Sequence, residues 1–295
     1  MKTAIIQMTD SITKKFDFEI GRLAFEALLY EVSVTPKPGL VDRENSGAHD
    51  DMNYFTFMSS ASSLCLCFHE FARKGAELAA EKIPVEKFLA EIRPIGVKFE
   101  RLMFAATHGI NTHKGEIFSL GLLSACAGYL ASRSSSEILD FASKVCAGIC
   151  ERDFADIASK KILTKGEKLY MKYGITGIRG EAEAGYPCVR EALPVLRKLL
   201  ARNFCMNDAL AVTLLKIISI NTDTNIISRH NFEVLKRVQI FASAYLELIL
   251  DYDDDHVAML RRLDRKFIEA NISPSGSADL LAVTYFMHAI ENLEI

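Results

Sequence analysis

Residues 117–131, IFSLGLLSACAGYLA, contain no charged side chain and are apolar nearly all the way round a helical projection. Residues 277–290, SADLLAVTYFMHAI, are likewise apolar nearly all the way round, with Asp279 as the single acid. Helices without a polar face belong at the centre of a helical assembly, covered on all sides by others. Working outward, FEIGRLAFEALLYEVS (18–33) puts Ile20, Leu23, Ala24, Ala27 and Leu28 on one face. FTFMSSASSLCLCFHEFARKG (55–75) does the same with Phe57, Ala61, Leu64, Cys65, Phe68 and Ala72, with Gly75 as its stop. Further helical periods run through about 84–106, 115–131, 136–150, 155–172, 187–202, 206–219, 229–250, 253–270 and 277–293. No β-branched alternation is bounded by a hairpin turn. The expectation is an all-α chain of about ten helices with central apolar helices, forming one domain over 1–295.

The composition sets the broad class. With 35 Lys and Arg against 38 Asp and Glu, the net charge is -3, which argues against nucleic acid or anionic membrane as a partner. The 7 cysteines are odd in number and lie mostly in apolar helical runs, as reduced, packed thiols of a cytoplasmic protein do. The first 21 residues lack a signal-peptide core, and no run reaches 18 apolar residues. ASRSSSE (131–137) reads as a loop with a helix N-cap, and the acidic LDYDDDH (250–256) as a solvated turn opening a helix. The long apolar helices suit either a homodimer interface or a monomer core.

Reactive side chains gather at five helix junctions. In VTPKPGLVDRENSGAHDDM (34–52), the prolines force an extended path that presents Lys37, followed by Asp42, Arg43 and His49. Asp50 and Asp51 suit the first turn of the next helix. Just before this stretch, Glu31 sits where the helix dipole disfavours an anion, so it is either solvated or beside a cation. At 106–121, His108, Asn111, Thr112, His113 and Lys114 precede the apolar central helix, whose N-terminus suits a phosphate. YGITGIRGEAEAGYP (173–187) spaces glycines around Arg179, then Glu181 and Glu183. ISINTDTNIISRH (218–230) embeds Asn221, Asp223 and Arg229 between apolar runs, and NISPSGSADLLAV (271–283) puts Ser275 and Gly276 at a second apolar helix. In that helix's first turn Asp279 reads as an ordinary dipole partner. Basic groups, carboxylates and helix N-termini together fit a polyphosphate with a divalent metal.

Five blocks carry a family resemblance: EVSVTPKPGLVDRENSGAHDDM, GINTHKGEIFSLGLL, YGITGIRGEAEAGYP, NTDTNIISR and NISPSGSADLLAVTYF. In this order, over nearly the whole chain, they resemble the triphosphoribosyl-dephospho-CoA synthases that serve citrate lyase and malonate decarboxylase. The resemblance implies a pentosyltransferase that converts ATP and 3′-dephospho-CoA into 2′-(5″-triphosphoribosyl)-3′-dephospho-CoA and adenine. The product would pass to the enzyme that modifies the acyl carrier subunit of citrate lyase. An α-linkage formed from a β-nucleoside implies inversion.

Under that resemblance Mg²⁺ comes bound with ATP, held by Glu31, Asp42 and Asp223. Asp42, Glu181, Glu183 and Asp223 are the candidate catalytic carboxylates. Lys37, Arg43, Lys114, Arg179 and Arg229 would neutralise phosphates, with His49, Asn111, His113, Asn221, Ser275 and Gly276 lining the substrate site. Two rival readings stand beside it. AHDD with His69, His108 and His113 would suit a helical metal-dependent phosphohydrolase. A non-catalytic helical scaffold would leave the five junctions scattered. The polyphosphate reading requires Asp42, His113, Arg179 and Asp223 to converge.

Overall fold

A computed structural model describes residues 2–160, 163–252 and 255–294, with side chains from residue 15 on except at 158 and 252. The described residues form α-helices α1 (Lys2–Ser33), α2 (Tyr54–Ser63), α3 (Cys67–Ala80), α4 (Val85–Ala106) and α5 (Lys114–Leu130). They continue through α6 (Ser135–Cys146), α7 (Ile149–Phe154), α8 (Lys165–Tyr173), α9 (Ile178–Glu183) and α10 (Pro187–Ala201). The last five are α11 (Met206–Ile220), α12 (Thr224–Arg229), α13 (Phe232–Tyr252), α14 (His256–Glu269) and α15 (Ser275–Glu291). The all-α expectation holds, with no strand among the described residues.

There are more helices than the expected ten because apolar periodicity runs on through breaks in the backbone. The segment read as one helix over 55–75 breaks at Leu64–Leu66, which turns Cys65 outward. The 155–172 segment becomes a short 3₁₀ turn, Ile157–Ser159, and α8. Ser134 caps α6, receiving the Glu137 amide, and Asn53 rather than Asp50 or Asp51 caps α2 in a box with Thr56. In the acidic 250–256 stretch, 253 and 254 lie outside the described residues, while Asp255 caps α14.

α5 and α15 are the two central helices, buried within this chain's own core. That core is one contiguous cluster running from Phe16 to Leu293. Against α5 lies α3, at a distance only glycine permits. A Cβ on Gly75 would stand 1.9 Å from the Ala125 carbonyl oxygen, and one on Gly128 2.1 Å from that of Ala72. Gly75 is therefore a contact point inside α3 and not its stop. Ridges of alanine fit across the two glycines. Among the described residues no single helix is long and apolar enough to cross a membrane.

The helix order brings four N-termini to one end of α5. α5 and α15 pack together there, α9 lies against α5, and α12 contacts α15. The 34–49 segment covers them.

Candidate active site

The 34–49 segment is a fixed loop, organised by Asp42. Its Oδ2 accepts the Thr35 hydroxyl (2.7 Å) and the Lys37 amide (3.0 Å), and its Oδ1 the amides of Glu44 (2.7 Å) and Asn45 (3.0 Å). Asp264 of α14 ties the loop down through the Gly39 amide (2.8 Å) and the Asn45 side chain (2.9 Å). Gly39 is required here: its φ is +71°, and a Cβ would meet the Ile272 carbonyl oxygen at 2.1 Å.

Lys37 is not presented to solvent. It is 1% exposed and turns inward to bond Glu31. Of the two readings of Glu31, the one with a neighbouring cation is correct, and the cation is the chain's own lysine. Behind this pair stands a second layer at the N-terminus of α5. His113 is fully buried; the Thr112 hydroxyl donates to Ser60 Oγ (2.6 Å), which lies 2.6 Å from His113 Nδ1. Ser60 then donates to Nδ1, so the proton of the neutral ring sits on Nε2, 3.7 Å from Glu116 Oε2. Burial, aided by Lys37, pushes the His113 imidazole down to about 3, which keeps it neutral.

Glu116 is 1% exposed, and its Oε1 has no hydrogen-bond partner. Burial first, then Glu31 and Asp279, raise its carboxyl well above the ordinary range. Asp279 lies not in the first turn of α15, as expected, but one turn further in, because the helix already starts at Ser275; it reaches the α5 backbone, where a Cβ on Gly115 would stand 1.9 Å from its Oδ2. It receives no hydrogen bond among the described residues, and burial, Glu31 and Asp223 raise its carboxyl well above normal. Asp223 completes the row. It accepts the Asn225 (2.9 Å) and Ile226 (3.4 Å) amides on Oδ1, and the Ser277 amide (2.8 Å) and hydroxyl (2.9 Å) on Oδ2. It thus caps α12 and braces α15; Asn221 adds a bond to Ser277 Oγ (3.0 Å), and Gly276 lies against its carboxylate.

In front of the α5 N-terminus lies a cleft of about 230 Å³ whose lining includes Arg93, Glu100, Lys114, Gly115, Asp153 and Arg179. Its cations are paired: Lys114 with Glu100 (2.5 Å), and both Arg93 (2.9 Å) and Arg179 (2.8 Å) with Asp153. Asn111 is exposed and its Oδ1 accepts the Lys114 amide (3.3 Å). On the other side, Arg229 donates to the carbonyl of Ala48 (2.7 Å) and to Asn271 Oδ1 (2.8 Å), and its Nη2 lies 3.3 Å from the His49 ring. His49 also contacts Ser273 Oγ (2.8 Å); burial, Arg229 and Lys165 hold its imidazole below the usual value. No carboxylate pairs with Arg229 among the described residues.

The predicted residues therefore sort into three groups. Glu31, Lys37, His113, Asp223 and Gly276 share one buried layer with Asp42 at its edge, and Lys114 and Arg179 share the cleft in front of it. Of the four residues required to converge, Arg179 alone lines the cleft, and the other three lie behind its α5 wall. Arg43 stands apart, exposed and bonded to Asn207 (3.1 Å), and Ser275 opens α15 at the edge of the layer. Glu181 bends back to Cys188, 3.3 Å from its amide and 3.1 Å from Sγ, and Glu183 binds the Gly148 amide at 2.6 Å. Glu31, Asp42 and Asp223 are not a ligand set; among the described residues no group of three or more His, Cys, Asp or Glu is arranged to hold a metal. That includes the His69, His108 and His113 set of the phosphohydrolase reading. Sequence reasoning passed over Glu116 and Asp279. The available signal was a lone carboxylate near the start of each of the two helices that have no polar face: Glu116 in the first turn of α5 and Asp279 in the second turn of α15.

With this geometry in hand, the comparisons place the chain. It belongs to the ATP:dephospho-CoA triphosphoribosyl transferase family, whose model matches residues 17–295. It is an all-helical transferase. More particularly, it is 43% identical over 93% of its length to a probable 2-(5″-triphosphoribosyl)-3′-dephosphocoenzyme-A synthase of Albidiferax ferrireducens, covering 91% of that protein. The same named activity is given to a Citrobacter koseri protein, 44% identical over 92% of this chain and 90% of its own. A Pectobacterium atrosepticum synthase is 38% identical over 92% of this chain and 88% of its own. No solved structure matches.

Proposed function

We propose that the protein transfers the triphosphoribosyl group of ATP to the ribose 2′-hydroxyl of 3′-dephospho-CoA, releasing adenine. The product would be the precursor of the citrate lyase prosthetic group, handed to the enzyme that modifies the acyl carrier subunit. The observation that carries this reading is the family match over residues 17–295. The pathway assignment to citrate lyase, over malonate decarboxylase, and a cytoplasmic setting are part of the proposal.

Mg²⁺ is expected to accompany the triphosphate, where it supplies charge neutralisation. Glu116 and Asp279 are the residues that would hold it. They fit because Glu116 Oε1 is a buried oxygen without a donor and the half-buried Asp279 receives no hydrogen bond among the described residues. Asp42 and Asp223 fit poorly, each having four donors on its two oxygens. Lys114 and Arg179 would exchange their carboxylate partners for triphosphate oxygens at the cleft. Glu181 would take the proton of the acceptor hydroxyl. Burial raises its carboxyl toward the working range of a base, and Cys188 supplies its only donors among the described residues. Neutral His113, held by Ser60, keeps its Nε2 proton facing Glu116.

The test incubates purified protein with ATP, Mg²⁺ and dephospho-CoA and follows free base by chromatography. Adenine released in step with consumption of both substrates, without ADP or phosphate, is the expected result. Phosphate without adenine would instead support a hydrolase.

A further inference from the structure

The long apolar helices that suited a homodimer interface in the sequence lie inside the chain's own core, as α5 and α15. An apolar surface that does stay uncovered is on α13. Along its inner face Leu235, Val238, Ala242, Leu246 and Ile249 are buried, and the helix packs on α11. Gln239 fixes it there by donating to the Asn221 carbonyl at the end of α11 (3.0 Å). A helix packed on one side presents polar residues on the other. α14 obeys this rule, with Arg261, Arg262, Arg265 and Lys266 exposed. α13 departs from it. Ile240 is 68% exposed, Phe241 54% and Leu248 43%, and Ala244 between them is exposed as well.

These side chains form one stripe. Ile240, Ala244 and Leu248 recur at i, i+4 and i+8, with Phe241 beside them. The stripe ends in opposite charges. Arg237 lies seven residues before Ala244 and Asp251 seven residues after it, both exposed on the same side of the helix. Glu233, Lys236 and Glu247 rim the stripe. Asp251 has no ion-pair partner among the described residues. Arg237 has Glu233 one turn away (2.5 Å), but both side chains of that pair are well exposed, so it holds the arginine only weakly. A cation and an anion at equal distances from a small residue complement the same pattern read in reverse.

We infer that α13 is the contact helix of a homodimer, pairing antiparallel with α13 of a second copy about a two-fold axis at Ala244. In that register Ile240 of one copy lies beside Leu248 of the other and Arg237 beside Asp251, and each contact occurs twice. Ala244 meets its own counterpart at the axis, where a small side chain lets two helices approach to about 8 Å. The charges select both the partner and its direction. A parallel pairing in register would set Arg237 against Arg237 and Asp251 against Asp251. An unrelated partner has no reason to match a spacing that is symmetric about Ala244. The inference is independent of the transferase reading.

About four turns of paired helix, from Arg237 to Asp251, make a small interface, so a reversible dimer with a Kd of about 1–100 µM is expected. Sedimentation velocity over about 1–300 µM protein brackets that range. Ala244→Glu would put two like charges at the axis and is expected to leave a monomer at every concentration. Arg237→Asp and Asp251→Arg are each expected to raise Kd about tenfold, since each sets like charges together twice. The double variant, with both charges reversed, is expected to return Kd to within about threefold of wild type, as only the antiparallel register allows. All three positions are exposed, and thermal melts check that the variants fold. A wild-type chain that stays monomeric at the top of the range would overturn the assignment, as would a dimer indifferent to Ala244→Glu. A double variant as weak as the two single changes combined would overturn the antiparallel pairing.

Discussion

Asp42 and Asp223 are as deeply buried as Glu116, at 1% exposure each, yet their surroundings differ completely. Each of the two aspartates receives four hydrogen bonds, which fill both oxygens. Glu116 leaves one oxygen with no donor, and its neighbour Asp279 receives none among the described residues. A buried carboxylate surrounded by donors is a construction element: it fixes a loop or caps a helix. A buried carboxylate without donors costs stability, and where two helix starts meet a bound cation would offset that cost. The comparison is why the proposal turns from the acids at the loops to Glu116 in the first turn of α5 and Asp279 one turn into α15.

Replacing Glu116 is expected to have the largest effect. Glu116→Gln keeps the shape and removes the ability to ionise against a bound cation, so kcat should fall by about a thousandfold, the scale of a lost group acting at the reacting centre. The melting temperature near neutral pH should stay level, because burial already holds this acid protonated and the amide fills the same space. A variant that keeps wild-type kcat would break the comparison outright. Next in size is Asp223→Ala, which strands the Asn225, Ile226 and Ser277 amides at once. A loss of about 3 kcal/mol in denaturant unfolding is expected. If Asp223→Ala is as stable as wild type, the four bonds have no structural role and Asp223 returns to the list of reactive acids.

How much of this was legible beforehand follows the same division. The central helices could be read because a run without charge has one physical home, and IFSLGLLSACAGYLA was enough to place α5. The pairing of Glu31 with a cation was half legible: the helix dipole marked the acid as costly, but the partner's direction was not. Pro36 and Pro38 told of an extended path, and an extended path does not say which way Lys37 points. Gly75 was misread because a glycine that ends a helix and one that admits a neighbouring backbone look alike until the neighbour is known. Asp42 and Asp223 were chosen as reactive since charge in a buried setting is conspicuous in sequence. Their donors are backbone amides, which carry no letter. Glu116 and Asp279 were passed over for the converse reason: an acid near a helix start has an ordinary explanation, and only the helix–helix contact at Gly115 removes it.

Asp17 sharpens the comparison with the smallest expected effect. It is 4% exposed on α1, its Oδ1 has no partner, and its burial, set beside His69, Glu77 and Arg73, raises the carboxyl to about 6. It is thus an unsatisfied acid like Glu116, but beside α3 and away from the α5 N-terminus. For an acid whose folded value lies above its unfolded one, the folded state holds the proton more tightly, so stability falls as pH rises from about 4 through 6 and stays low above that. Asp17→Asn removes this term and leaves an amide in the same pocket. A gain of about 1–2 kcal/mol is expected at pH 8, shrinking toward zero at pH 4, with kcat unchanged throughout. Unfolding curves at the two pH values measure the first, and adenine release measures the second. Were kcat to fall with Asp17→Asn, a missing donor would no longer distinguish a reactive acid from a merely strained one, and position at the helix junction would have to do all the distinguishing.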